Sequence, residues 1–180
     1  MQEQLELAIE LIEKKEYTEA VKILQPLAEA GNADAQNRLG NRYYYGQGVR
    51  KNYKKVAEWI EKAAKQGHVK AQNNFGKLYE RGEGVEQDYV KAVEWYTKSA
   101  EQGYADAQCN LGYCYDAGNG VEQNYAKAVE WYTKSAEQGY ARAQCNLGYC
   151  YKKGNGVEQN YAKAVEWYTK SAEQGHARAQ

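Results

Sequence analysis

The chain has 180 residues, with 24 basic and 24 acidic side chains and a formal net charge of zero. This balance excludes the long-range positive field of a nonspecific nucleic-acid or membrane-surface binder, and no apolar run of about 18 residues is present to insert into a membrane. The chain combines 17 glycines with a single proline. Because glycine normally interrupts helices, either the chain is rich in loops or its glycines occupy set positions.

Residues 1–30 are predicted to form a capping pair of helices. Apolar residues within 3–14 recur at helical spacing, and residues 17–30 align with the second helix of the segment that follows. Pro26 falls inside this second helix and is expected to interrupt and bend it. Atypical terminal helices with a polar outer face are what an array of helical repeats needs at its end.

A repeat of 36 residues follows from Gly31 onwards. All 17 glycines fall in four columns with this spacing, and all four tryptophans fall in one column. In residues 103–138, Ala107, Leu111 and Tyr115 lie on one face of a first helix, which the GNGV segment ends. A second helix is predicted to start near Asn124. Stacked helix pairs of this kind form an all-α, right-handed α/α-solenoid, or superhelix, of antiparallel helix pairs.

Two further expectations concern packing within each repeat. The second helix should bury one face, formed by Tyr125, Ala128, Val129, Tyr132 and Ala136, with Trp131 on the flank towards a neighbouring repeat. Gly112 lies inside the first helix, where glycine costs about 1 kcal/mol relative to alanine. Because this cost recurs in every repeat, the glycine column predicts close approach of a partner helix, while the other three columns cap helices and make turns.

Residues 101–136 and 137–172 are identical at 33 of 36 positions. The three differences, Asp106 to Arg142, Asp116 to Lys152 and Ala117 to Lys153, lie on one face of the first helix together with Cys109 and Tyr113. A face that varies in chemistry while the packing face is constant is a candidate binding surface. The alternative is that exposed positions merely drift, and the sequence leaves both interpretations open.

The pattern AxAQxxLGxxYxxGxGV followed by DYxKAxxWYxKSAEQG resembles the Sel-one-like repeat (SLR) family, a branch of the tetratricopeptide superfamily. The match is close at residues 105–139 and 141–175 and looser at residues 33–67 and 69–103. The resemblance implies a single solenoid domain over residues 31–180, with four repeats and the start of a fifth at residues 175–180. The incomplete fifth repeat favours truncation of a longer array over the alternative, an array that lacks a closing cap.

The resemblance also implies a function as a protein-protein interaction scaffold or adaptor, without catalysis and without a cofactor, that binds a peptide or protein on its concave helical face. Carried over from tetratricopeptide-like grooves, the contact positions in the four repeats are Asp34, Asn37, Asn41 and Tyr44; Lys70, Asn73, Lys77, Glu80 and Arg81; Asp106, Cys109, Tyr113 and Asp116; and Arg142, Cys145, Tyr149, Lys152 and Lys153. The alternative is a passive spacer or an engineered consensus-style array, since engineering explains near-identical repeats as well as recent duplication does.

The groove so defined is more basic than the whole chain. Its cations are Lys70, Lys77, Arg81, Arg142, Lys152, Lys153 and Arg178, and tyrosines stand between them. Cationic and aromatic groups along one track favour an acidic peptide, although lysines that are simply solvated fit the same pattern. The flank around Trp167 and Tyr168 is expected to promote end-to-end self-association.

The four cysteines form two CxxxxC pairs, Cys109 with Cys114 and Cys145 with Cys150. Five residues along a helix turn the second thiol about 140 degrees away from the first, so we expect free, packed thiols and neither a metal site nor a disulfide. Free thiols suit the cytoplasm or another reducing compartment. The start of the chain lacks the pattern of a signal peptide, and a periplasmic or secreted location would require that a signal segment had been removed.

Overall fold

The structure, a computed structural model, describes residues 2–175. Ten helices and no strand occur in this part of the chain. In chain order they are α1 (Gln2–Glu13), α2 (Tyr17–Glu29), α3 (Ala33–Tyr45), α4 (Tyr53–Lys65), α5 (Val69–Arg81), α6 (Tyr89–Glu101), α7 (Ala105–Ala117), α8 (Tyr125–Glu137), α9 (Ala141–Lys153) and α10 (Tyr161–Glu173). None of these helices has the length and apolar character needed to cross a membrane.

The chain divides between Asp88 and Tyr89 into two compact units. Unit 1 contains α1 to α5, and each helix packs against the next one in the chain. Its main apolar cluster joins all of the first four helices through the buried residues Leu5, Ala8, Leu24, Leu27, Ala28, Ala35, Leu39 and Trp59. Residues 1–30 therefore contribute two helices to the core of unit 1, as their apolar spacing predicts.

The expectation that Pro26 interrupts α2 is wrong. The helix continues to Glu29, and the amide of Ala30 donates to the Pro26 carbonyl at 2.9 Å. A proline inside a helix removes one backbone hydrogen bond, here the bond to the Lys22 carbonyl. Because Pro26 and Lys22 are both exposed, water can satisfy that carbonyl, and the buried side of α2 is unaffected.

Unit 2 contains α6 to α10, again with each helix packed against the next. Its cluster consists of Cys109, Ala128, Val129, Tyr132, Ala136, Ala143, Leu147 and Cys150, and Trp167 packs against it. The predicted inner face of α8 is confirmed except at Tyr125, which is 38% exposed. Tyr125 is the first residue of α8, where its hydroxyl accepts a hydrogen bond from Gln123, so its ring lies outside the core.

The predicted helix boundaries are confirmed by their caps. The side chain of Asn124 accepts a hydrogen bond from the amide of Lys127 at 3.0 Å and so begins α8. Gly118, in the GNGV segment, adopts a left-handed conformation with φ of 74° and ends α7. The equivalent caps Asn52, Asn160, Gly46, Gly82 and Gly154 have the same roles in the other repeats.

The helical glycines lie where a second helix approaches, as predicted. A β-carbon on Gly112 would stand 2.7 Å from Cδ1 of Tyr132, which is well inside van der Waals contact. The glycines at the end of the GxG turn have a function that the sequence did not reveal. A β-carbon on Gly120 would overlap the backbone carbonyl of Tyr89, so this turn packs directly on the first residue of α6.

Candidate binding surface

In unit 1 the predicted contact residues Asn37, Tyr44 and Arg81 take part in hydrogen bonds between the neighbouring first helices α3 and α5, the first of them with Asn74, which was not predicted. The Asn74 amide donates to Asn37 at 3.1 Å, and the Arg81 guanidinium donates to the Tyr44 hydroxyl at 3.0 Å. Asn73 is only 1% exposed and cannot reach a partner without movement of the helices. Part of the predicted face therefore holds adjacent repeats together, which narrows the surface available for binding.

Apart from Asn73 and Glu80, the predicted contact residues of unit 1 line two clefts. The larger, of about 190 Å³, lies between α3, α4 and α5, and we call it the α3–α5 cleft. Tyr45 on its rim is 65% exposed. The full lining is Asn41, Tyr44, Tyr45, Val56, Ile60, Asn74, Lys77, Leu78, Arg81 and Glu83. A second cleft, of about 160 Å³, is lined by Ile12, Asp34, Asn37, Arg38, Asn41, Arg42 and Lys70.

In unit 2 two predicted contact residues, Asp106 and Arg142, interact with each other. The Arg142 guanidinium lies 3.9 Å from the Asp106 carboxylate, and its Nε donates to the Cys109 sulfur at 3.2 Å. The Tyr140 hydroxyl donates to the same carboxylate at 2.8 Å. Burial and this bond to an anion raise the pKa of Tyr140, which therefore remains a donor. At one of the three positions where the two near-identical repeats differ, the two residues therefore have opposite charges and contact each other.

The exposed part of unit 2 is aromatic and basic. Tyr113 and Tyr149 are each 46% exposed, and the Lys153 ammonium lies 6.0 Å from the centre of the Tyr149 ring. Lys152 and Lys153 are exposed, and neither forms an ion pair within residues 2–175. Asp116 is half-buried, and burial raises the pKa of its carboxyl.

Some of the predicted positions lie elsewhere. Cys109 and Cys145, which the resemblance placed among the contact positions, are buried. Arg178 and most of the predicted fifth repeat lie outside the described residues.

All four cysteines are buried and free, as their spacing predicts. Burial, with a contribution from the nearby Asp116 carboxylate, raises the pKa of the Cys150 thiol to about 12. The part of the chain that the structure describes contains no group of three or more His, Cys, Asp or Glu side chains arranged to hold a metal ion. The thiols therefore serve as small apolar packing groups.

Two features of the structure were missed in the sequence although each has a signal there. In every repeat a lysine three residues after the tryptophan places its ammonium over the indole ring, as Lys134 does at 4.2 Å from Trp131. Ile60, which lines the α3–α5 cleft, occupies a column that holds tyrosine in the other three repeats, at Tyr96, Tyr132 and Tyr168.

A family model described as the Sel1 repeat matches four consecutive segments, residues 33–68, 69–104, 105–140 and 141–176. The chain belongs to the Sel1 repeat family. Members of this family are generally helical scaffolds for protein interactions and generally non-enzymatic. No curated protein matches the sequence significantly.

Solved structures of Sel1 repeat proteins confirm the α/α-solenoid fold class. A Sel1 repeat protein from Oxalobacter formigenes is 40% identical with a TM-score of 0.91, over 98% of this chain and 70% of that one. A protective antigen of uropathogenic Escherichia coli with an SLR fold is 43% identical with a TM-score of 0.85, over 88% of this chain. The match spans only 34% of the antigen's own length. An immunity protein from Pseudomonas aeruginosa is 27% identical with a TM-score of 0.62, over 91% of this chain and 60% of that one.

Proposed function

We propose that this Sel1 repeat chain binds a peptide or protein of acidic character through exposed and half-buried residues of its first helices. In unit 1 these residues are Asn41, Tyr44, Lys70, Lys77 and Arg81, and in unit 2 they are Tyr113, Asp116, Tyr149, Lys152 and Lys153. The observation that carries the proposal is the cluster of Tyr149, Lys152 and Lys153 on α9, which combines a half-exposed ring with two exposed ammonium groups.

The physical reason is the use that a partner can make of such a cluster. An exposed tyrosine offers a large contact area at a low cost in conformational entropy, and lysines beside it attract carboxylates. Asp116 occupies the position of Lys152 in the preceding repeat, so the two first helices of unit 2 offer different charges on one scaffold. That difference would give the partner a preferred register, because like charges brought together oppose binding.

The proposal is one of binding and not of catalysis, and it names no cofactor. Nucleic acid is not the proposed partner, because a net charge of zero supplies no general attraction to phosphate. The buried free thiols suit a reducing compartment, such as the cytoplasm, as the place where the chain works.

Self-association is proposed at the exposed flank of α10, where Trp167 and Tyr168, the residues expected to promote it, are half-buried and two neighbouring residues are more exposed. Val165 is 64% exposed, whereas Val129 at the same position of the preceding repeat is 8% exposed. Tyr161 beside it is 63% exposed. This apolar flank would pair end to end with a second copy, which sedimentation measures directly. A monomer at all concentrations up to high micromolar would oppose this part of the proposal.

The main test is affinity capture with the whole chain, followed by mass spectrometry. Three variants are compared: Tyr149→Ala, Lys152→Glu, and Lys54→Glu as a control that makes the same charge change at an exposed position of α4. We expect a specific partner to be lost from the first two and retained by the third. The proposed surface is wrong if every captured protein binds the Tyr149→Ala and Lys152→Glu variants normally and binding is lost only in the Lys54→Glu control.

A further inference from the structure

The α3–α5 cleft lies where repeat 1 departs from the other repeats. The column of Ile60 holds tyrosine in repeats 2, 3 and 4. Tyr132 in repeat 3 is almost completely buried, and its ring contacts the helical glycine Gly112. Ile60 contacts the equivalent glycine, Gly40, in the same way. Ile60 therefore occupies the position in repeat 1 that Tyr132 occupies in repeat 3, but its side chain is shorter and lacks the outer part of the tyrosine ring and the hydroxyl.

The residues around Tyr132 in repeat 3 show which residues would surround a tyrosine at position 60 in repeat 1. Cys150 lies in the same buried cluster as Tyr132, and the Asp116 carboxylate is near enough to raise the pKa of the Tyr132 hydroxyl. The same two columns hold Tyr44 and Leu78 in unit 1, and both of those residues line the cleft beside Ile60. The cleft therefore occupies the space that a tyrosine side chain fills in repeat 3.

The size and lining of the cleft suit an aromatic ring. Its volume is about 190 Å³, and an apolar cavity of about 150 Å³ is large enough to bind benzene. Val56, Ile60 and Leu78 are almost completely buried and form an apolar floor. The half-buried ring of Tyr44 and the exposed ring of Tyr45 stand on the rim, where they can pack against an inserted side chain.

The rim also carries positive charge. Lys77 and Arg81 line the cleft, and the Lys51 ammonium lies 5.6 Å from the centre of the Tyr44 ring. Glu83 is the acidic residue in the lining, and its carboxylate lies 3.9 Å from Arg81. The lining therefore holds two cations and one anion, with Lys51 beside the rim, and the forked guanidinium of Arg81 suits a ligand that brings a carboxylate.

We infer that the α3–α5 cleft binds an aromatic side chain of an acidic peptide, with a neighbouring carboxylate of that peptide on Arg81. The ring replaces the tyrosine that repeat 1 lacks. This inference rests on the proposed function and adds to it a defined subsite in unit 1 and the chemistry of the residue that enters it.

The test uses a small probe and the full chain. N-acetyl-L-phenylalanine has both the ring and the carboxylate, its amide derivative lacks the charge, and N-acetyl-L-alanine lacks the ring. A ligand of this size should bind at about millimolar concentration, which is suited to amide chemical-shift titration. We expect the resonances of Tyr45, Leu78 and Arg81 to shift with the acid, to shift less with the amide derivative, and to respond little to the alanine compound.

Two variants make the inference falsifiable. Ile60→Tyr inserts the residue that the other repeats use and should weaken binding of the phenylalanine probe by about tenfold or more, whereas Ile60→Val, which leaves the cleft open, should retain it. Arg81→Ala should weaken the acid without changing the amide derivative, and this comparison holds even if Ile60→Tyr folds poorly. Equal binding to the Ile60→Tyr and Ile60→Val chains, or equal shifts with the alanine and phenylalanine compounds, would overturn the inference.

The outcome is separable from that of the proposed function. If a captured partner depends on Tyr149 and Lys152 but the probe does not bind in an Ile60-dependent way, only the cleft assignment fails. If the probe binds as expected but no partner depends on the exposed first-helix residues, the cleft assignment stands and the wider proposal fails.

Discussion

Two glycines of unit 2 allow backbone strain to be separated from steric overlap. Gly120 and Gly139 both have left-handed conformations, with φ of 73° and 86°. A β-carbon on Gly139 meets nothing within 4 Å, whereas one on Gly120 would overlap the Tyr89 carbonyl and stand 2.8 Å from the amide nitrogen of Val90. Replacing each by alanine therefore imposes the same conformational cost but a different steric one.

The expected magnitudes follow from these contacts. A left-handed conformation costs an L-residue about 1–2 kcal/mol, and alanine recovers about 0.4–1 kcal/mol by restricting the unfolded chain. Gly139→Ala should therefore lower the free energy of unfolding by about 1 kcal/mol. Gly120→Ala adds overlap with backbone atoms, which no side-chain rotation relieves, so the start of α6 must move away from the turn. Overpacking of this kind adds about 1–3 kcal/mol.

Thermal unfolding followed by circular dichroism distinguishes the two variants. In a chain of this size each 1 kcal/mol shifts the midpoint by about 2–4 °C, so Gly120→Ala should melt about 2–12 °C below Gly139→Ala. Asparagine tolerates the left-handed conformation better than alanine, so Gly139→Asn should recover stability and Gly120→Asn should not. Equal midpoints for the two alanine variants would refute the reasoning, because the conformation alone would then determine the cost.

Three further predictions concern unit 2. Gly112→Ala should destabilise more than Gly148→Ala, by about 1 kcal/mol in urea titrations, because Tyr132 is fully buried whereas its counterpart in repeat 4 is half-exposed and can shift. A double-mutant cycle of Asp106→Asn and Arg142→Gln should give a coupling energy of about 0.5–1 kcal/mol in the same titrations, and a value near zero would show that the pair is incidental. Cys150 should resist iodoacetamide at pH 8 until denaturant is added, because its thiol is buried and its pKa is about 12, and rapid labelling of the native chain would contradict that burial.

The helices and their ends could be predicted because local chemistry determines them. Asn124 caps α8 with its own side chain, and Gly118 ends α7 through a conformation that glycine adopts readily. Both effects act within four residues along the chain. The 36-residue spacing then repeats each boundary, so one correct assignment determines the others.

Contacts between repeats were harder to predict because they depend on distances across helices. Asn73 belongs to the predicted contact face by spacing, yet its side chain is buried. Tyr125 belongs to the predicted core face of α8, yet it lies at the start of the helix, where the core ends. Helical spacing identifies the direction of a side chain and not how far the neighbouring helix extends.

Differences between repeats mark a binding surface only where no intramolecular partner explains them. Arg142 differs from its counterpart Asp106, but the two side chains lie 3.9 Å apart, so an ion pair between repeats 3 and 4 accounts for this difference. Lys152 and Lys153 differ from their counterparts without an ion pair in the described part of the chain. Ile60 departs from its tyrosine column and leaves a cleft. The lysines and the isoleucine therefore remain the stronger candidates for recognition, since the packing of the repeats does not account for them.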